Sequence, residues 1–313
     1  MIGAVLDWLA RRYTIMLAVG VLIGLAVPPL AGLLRPLLVP CIILIVALSL
    51  VRLDVGAVMV HVRRPGLVAA TLVFLLVVAP ALAALALAPL AAIPAVEIGI
   101  VLLAAAPPIM SAPALCLMLG LDAAFAALVM VLSYALTPFT LPTVALWLLG
   151  LDIGISAWAL MARLGLVIGA AFALAVVLRA TILPARVRAL RSRRIDGVLV
   201  VALVVFVIAV MDGVTGLVLE RPGYALLLTA VSVVANALLQ LVGALVFLPA
   251  GRAIALAVAL MSGNTNLGLV LAALATRADF DVLVFFALGQ LPIYMLPLVT
   301  VPLYRRLMRR PES

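Results

Sequence analysis

MSGNTNLGLV, Met261 to Val270, lies in one of the most apolar parts of a chain that is 69% hydrophobic. Yet it carries Ser262, Gly263, Asn264, Thr265, Asn266 and Gly268 within seven positions. Short polar side chains compete for backbone hydrogen bonds and glycine weakens a helix, so a helical span is expected to break in this stretch. A second stretch, AAPPIMSAPAL from Ala105 to Leu115, holds Pro107, Pro108 and Pro113. Each proline removes an amide donor and clashes with the preceding turn, so no unbroken helix runs through it.

What surrounds these two stretches sets the class. The 313 residues are only 10% charged, with a mean hydropathy of +1.48. That leaves too little polar surface to coat a soluble globule. A bilayer core takes about 20 apolar residues per helix, and runs of that length recur along nearly the whole chain. A membrane barrel would alternate in polarity because its lumen is wet. The runs are continuous instead, so the expectation is an all-α polytopic membrane protein. Met1 to Arg12 is a short amphipathic piece with no evident cleavage site after it. Cys41 and Cys116 fall inside apolar runs and read as small buried hydrophobes, not as a disulfide or metal pair. The formal net charge of +9 comes entirely from arginines, most of them in short connections between spans. That is a topology signal, not a nucleic-acid groove.

Ten spans are expected, at about 13–33, 35–52, 66–91, 95–119, 122–150, 155–183, 197–218, 223–249, 253–276 and 281–304. Pro28–Pro29, Pro65, Pro94, Pro184, Pro222 and Pro249 mark span ends. One side collects Arg11, Arg12, Arg52, Arg63, Arg64, Arg186, Arg188, Arg191, Arg193, Arg194, Arg252, Arg305, Arg306, Arg309 and Arg310. The other receives Arg35, Arg221 and Arg277, offset by Glu97, Asp152, Glu220, Asp279 and Asp281. Both termini are then cytoplasmic, with the chain in a bacterial inner membrane. The basic segment RVRALRSRRID, Arg186 to Asp196, divides the spans five and five. The sequence thus reads as 1–184 (spans 1–6), a cytoplasmic loop at 185–196, and 197–313 (spans 7–10). An odd number of spans per half gives the halves opposite polarity, as in inverted-repeat transporters. The interrupted fourth and ninth spans occupy matching places in the two halves. Freed backbone at membrane depth is tolerated only where protein buries it or where it lines a wet cavity, so two broken, crossing helices would form a binding crossover.

The order and spacing of these pieces resemble a known family. GLAVPPLAGLLRPLLVPCIILIVALSLVRLD, then HVRRPGLVAATLVFLLVVAP, then APPIMSAPALCLMLGLD and MSGNTNLGL are similar to the bile acid:sodium symporters, within the bile/arsenite/riboflavin transporter superfamily. Gly263, Asn266 and Gly268 match that family's Glu-x-Gly-x-Gln-Asn motif and its surroundings. The resemblance implies a panel of spans 1, 2, 6 and 7 and a core of spans 3–5 and 8–10. It also implies an organic anion bound in the cleft between them. Ser111, Pro113, Ala114, Gly263, Asn264, Thr265, Asn266 and Gly268 become the expected substrate residues. Asn264 and Asn266 would donate hydrogen bonds, and Asn266→Leu would abolish transport while leaving folding largely intact. The family's sodium positions fall on Leu75, Ala112, Pro113, Ala126, Met130, Met261 and Thr265. Sodium wants several oxygens and usually a carboxylate. A set made of Leu, Ala, Pro and Met has lost them, so no sodium cofactor is expected.

Other candidates are weaker. His61 and Asp54 read as solvated loop residues, and Asp122 as a helix cap. Asp212 and Glu97 lie near span ends, with Asp212 the better candidate for more than topology. Asn236, Gln240 and Gln290 read as polar groups that bond helices together. No nucleophile–base set, metal cluster or phosphate loop points to an enzyme. The expectation is a secondary transporter of an organic anion, bile-acid-like or a small carboxylate, whose partners are that substrate and the lipid bilayer, with no nucleic acid. The sequence is compatible with a monomer and sets no oligomeric state. A sodium-coupled symporter with shifted ligands, an arsenite permease using Cys116, and a non-transporting sensor on the same scaffold stand as alternatives.

Overall fold

A computed structural model describes residues 2–53, 64–86, 93–150, 156–182, 185–274 and 279–308. Asp54, His61, Asp152 and Arg277 lie outside them. The described residues form helices and no strand, with one isolated antiparallel bridge between Pro108 and Thr265. Five helices are long and apolar enough to cross a membrane, and seven if each of two bent pairs counts as one span. Pro94–Ala105 and Arg252–Gly263 are shorter apolar helices, and Phe280–Ile293 is a shorter apolar stretch within a longer helix. The chain is a membrane-embedded helical protein.

The chain divides into two compact units. The first comprises residues 1–53 and 165–225, the second residues 54–164 and 226–313.

In the first unit, α1 (Ile2–Arg11), α2 (Tyr13–Ala26), α3 (Pro28–Leu34) and α4 (Leu38–Val51) pack around α10 (Ala185–Val210), and α11 (Val214–Glu220) follows α10. Residues 185–196, expected as a loop, are helical and form the first turns of α10. No proline or glycine interrupts Ala185 to Asp196, and Arg, Ala and Leu are good helix formers, so the helix extends into the basic segment. Two ion pairs tie α10 and the turn after it to the two ends of α4: Arg52–Asp196 at 2.6 Å and Arg35–Asp212 at 3.0 Å. The pairing makes the two helices antiparallel. Each pair of levels is separated by 16 or 17 residues, about 25 Å at 1.5 Å per residue.

The second unit holds α5 (Pro65–Ala86, with a π-helical turn at Phe74–Val78), α6 (Pro94–Ala105), α7 (Ala112–Met118), α8 (Ala123–Leu149), α13 (Arg252–Gly263), α14 (Leu267–Leu274) and α15 (Phe280–Met308). It also takes the start of α9 (Ala157–Val177) and most of α12 (Pro222–Phe247). Helix α8 runs through Pro138 and Pro142. Membrane helices carry such prolines because neighbouring groups satisfy the freed backbone. Asp122 caps α8 as expected, its carboxylate accepting from the Phe125 amide at 2.9 Å.

The fold also uses two arginines that the charge count left unassigned. On α9, Arg163 donates to the Ala273 carbonyl at the end of α14 (3.2 Å). Arg179, in the π-helical turn that continues α9, donates to the Leu50 and Leu53 carbonyls at the end of α4 (3.4 and 3.0 Å). Both place a cation at a helix C-terminus, where the helix dipole is negative.

Candidate functional site: a crossover of two interrupted helices

Both suspected interruptions are real breaks. Helix α6 stops at Ala105 and α7 starts at Ala112; α13 stops at Gly263 and α14 starts at Leu267. The breaks meet at the Pro108–Thr265 bridge. The Ile109 amide donates to the Asn264 carbonyl (2.8 Å), and the Asn266 amide donates to the Pro107 carbonyl (2.7 Å). In this register Pro108 and Thr265 form the pair that exchanges no backbone bond, so the amide proton proline lacks is not needed.

Proline leaves a second debt one turn back. The Leu103 carbonyl would receive the N–H of residue 107, which is proline. The Thr265 hydroxyl donates to that carbonyl instead, at 2.7 Å and fully buried. A side chain of the second break thus supplies the donor that the first break deleted.

The second break is held from behind by α12. Asn236 Nδ2 donates to the Gly263 carbonyl (2.7 Å), and Gln240 Nε2 donates to Asn236 Oδ1 (2.6 Å). The Tyr304 hydroxyl donates to Gln240 Oε1 (2.7 Å), and the Ser262 hydroxyl donates to the Leu239 carbonyl (2.7 Å). A Cβ on Gly263 would lie 2.5 Å from the Asn236 carbonyl oxygen, so only glycine allows this approach. Asn236 and Gln240 serve as the interhelical bonds expected of them.

The expected site residues separate into two groups. Ser111 and Ala114 are exposed, and Pro113 and Asn266 are half-buried. Gly263, Asn264, Thr265 and Gly268 are buried. Asn264 turns its Nδ2 back to the Leu260 carbonyl (3.0 Å) and leaves Oδ1 buried without a partner. It offers an acceptor where a donor was expected. Asn266 is engaged on both sides: Nδ2 donates to the Tyr134 hydroxyl (2.5 Å), and Oδ1 accepts from the Leu269 amide (3.1 Å). Capping α14 and bonding a fully buried tyrosine give Asn266 a folding role, so Asn266→Leu would lower stability as well as touch the site.

Leu75, Ala112, Ala126, Met130, Met261 and Thr265 are buried and Pro113 half-buried. Of these side chains only Thr265 carries an oxygen, and its proton is committed to Leu103. Among the described residues no group of three or more His, Cys, Asp or Glu could hold a metal ion. Cys116 is completely buried on α7. Leu103 and Tyr134 are not among the expected site residues, and Pro107 is expected only as a helix breaker. Pro107 carried a signal, since its missing N–H leaves the residue four before it without a donor. Tyr134 carried none.

Searched against known protein families and curated protein sequences, the chain matches none of them.

Proposed function

We propose that this protein is a secondary transporter of the bile acid:sodium symporter type, with ten spans in two inverted five-span repeats. It would carry a small or amphipathic organic anion by alternating access without sodium. The observation that carries the reading is the Pro108–Thr265 bridge, where two interrupted apolar helices cross inside one helical unit. Interrupted helices at membrane depth are how secondary carriers present polar backbone to a solute. Ser111, Pro113, Ala114 and Asn266 are the accessible part of that crossover, and the anion's charge would meet them. The buried part, Gly263 to Thr265 with Gly268, would be scaffold. The arginine distribution supports cytoplasmic termini in a bacterial inner membrane. The sodium-independent part rests on the side chains at the seven family positions, which supply a single oxygen.

Two measurements on the purified protein test it. Thermal unfolding in NaCl and in choline chloride at matched ionic strength reads any ligand that binds only the folded state. The expected result is equal unfolding temperatures in the two salts and a rise with at least one organic anion, which proteoliposomes then accumulate. A sodium-specific rise would overturn sodium independence. Ala114→Trp fills the accessible face, and it should remove anion binding without lowering the unfolding temperature. Anion uptake unaffected by that substitution would overturn the assignment of the site.

A further inference from the structure

We infer that α1 is an interfacial helix whose outer face docks on anionic phospholipid head groups. The inference concerns the first unit and stands apart from the transport reading.

Helix α1 packs against the start of α10 and does not continue α2. The chain turns through 91° between them. A Cβ on Gly197 would lie 2.5 Å from the Leu6 carbonyl oxygen, and a Cβ on Gly3 would lie 3.0 Å from the Arg194 guanidinium. Helix α1 therefore crosses α10 between Arg194 and Gly197. At that point the sequence of α10 changes from basic, Arg186 to Arg194, to apolar from Val198 onward. The Arg52–Asp196 ion pair lies at the same level. A helix crossing at the boundary between a charged and an apolar segment lies at the membrane–water interface. Running α1 and α2 together as one span would bury Arg11 and Arg12 near the middle of the bilayer, which is strongly unfavourable.

The side chains divide accordingly. Ala4, Val5, Trp8, Arg11 and Arg12 are exposed and recur at helical spacing along one face. Val5 is 54% and Trp8 47% exposed. Arg12 lies over the Trp8 ring, 5.2 Å from its centroid. An aromatic beside arginines on a helix lying flat fits the acyl and head-group boundary, where the ring is half-buried and the guanidinium reaches phosphate. Against exposed Arg11, Arg12 and Arg194 stand two half-buried acids, Asp7 on this helix and Asp196, which Arg52 pairs. The charge balance selects anionic lipid.

The test uses the full chain with Trp147→Phe and Trp158→Phe, two exposed positions, so that Trp8 alone emits. Nanodiscs are made with lipids brominated near the head group or deep in the acyl chain, as phosphatidylcholine alone or mixed with phosphatidylglycerol. Trp8 should be quenched most by the shallow bromines, and more by brominated phosphatidylglycerol than by the brominated choline lipid. Each arginine near an anionic surface is worth about a fivefold preference, and added salt should erase it. Arg11→Gln with Arg12→Gln should reduce the preference severalfold, and Arg11→Lys with Arg12→Lys should keep it. Deepest quenching by the deep bromines, no quenching at all, or equal quenching by the two lipids at low salt would each overturn the inference.

Discussion

The two breaks that meet at Pro108 and Thr265 are made by opposite chemistry. The first, Ala106 to Ser111, is made by subtraction: Pro107 and Pro108 delete amide donors, and no side chain of that segment replaces them. The second, Asn264 to Asn266, is made by competition, with side chains that take over backbone bonding. Joined, they complete each other. Thr265 supplies the donor that Pro107 denies to Leu103, and the two main chains exchange two bonds across the gap. The apparent surplus of polar groups in MSGNTNLG is thereby mostly consumed inside the protein. The break poorer in polar side chains is the one left accessible, at Ser111 and at Ala114 in the first turn of α7. Polar residues in a membrane segment therefore do not by themselves mark the surface that meets a solute. A buried amide is as easily a repair to the fold.

The largest effect should come from filling the tight approach behind the second break. Gly263→Val forces a side chain against the Asn236 carbonyl, and overpacking of this kind costs about 3 kcal/mol. Denaturant unfolding in detergent should show it, and a near-neutral result would mean the α12–α13 contact is not tight. The sharper test is a double-mutant cycle. Thr265→Val removes the donor to Leu103 and should cost about 1.5 kcal/mol. Pro107→Ala removes the ring that favours the extended backbone of Ala106 (ψ 147°), so that one further helical turn can carry an N–H back to the same carbonyl. In the Pro107→Ala background, Thr265→Val should then cost markedly less, a coupling of about 1 kcal/mol. Purely additive effects would break the idea that one break repairs the other. The smallest effect belongs to Ser111→Ala. At an exposed position it should change stability by less than about 0.5 kcal/mol. Its influence should appear in anion affinity alone, and a stability loss as large as that of Thr265→Val would erase the contrast between the breaks.

Much of this was legible in the residues. Three prolines within seven positions cannot be helix, and two asparagines beside glycines in an apolar run announce an interruption. Asp122 could be read as a cap because it stands just before a long apolar run, and its carboxylate reaches the amide three residues on. The basic segment misled, because charge was taken as the end of a helix. A helix of Arg, Ala and Leu need not unwind where its charge rises, and α10 runs unbroken from Ala185 to Val210.

The sequence by itself determined the helical membrane class, the two interruptions and the arginine asymmetry. These depend on local composition and on the covalent facts of proline and glycine. Only the tertiary structure decided that Thr265 answers Pro107, that Asn266 is held by Tyr134, and that Arg163 and Arg179 close the ends of α14 and α4. Each of those partners lies more than 100 positions away in the chain. A buried polar group must find a partner, but its own neighbourhood in sequence does not say which one packing brings within 3 Å.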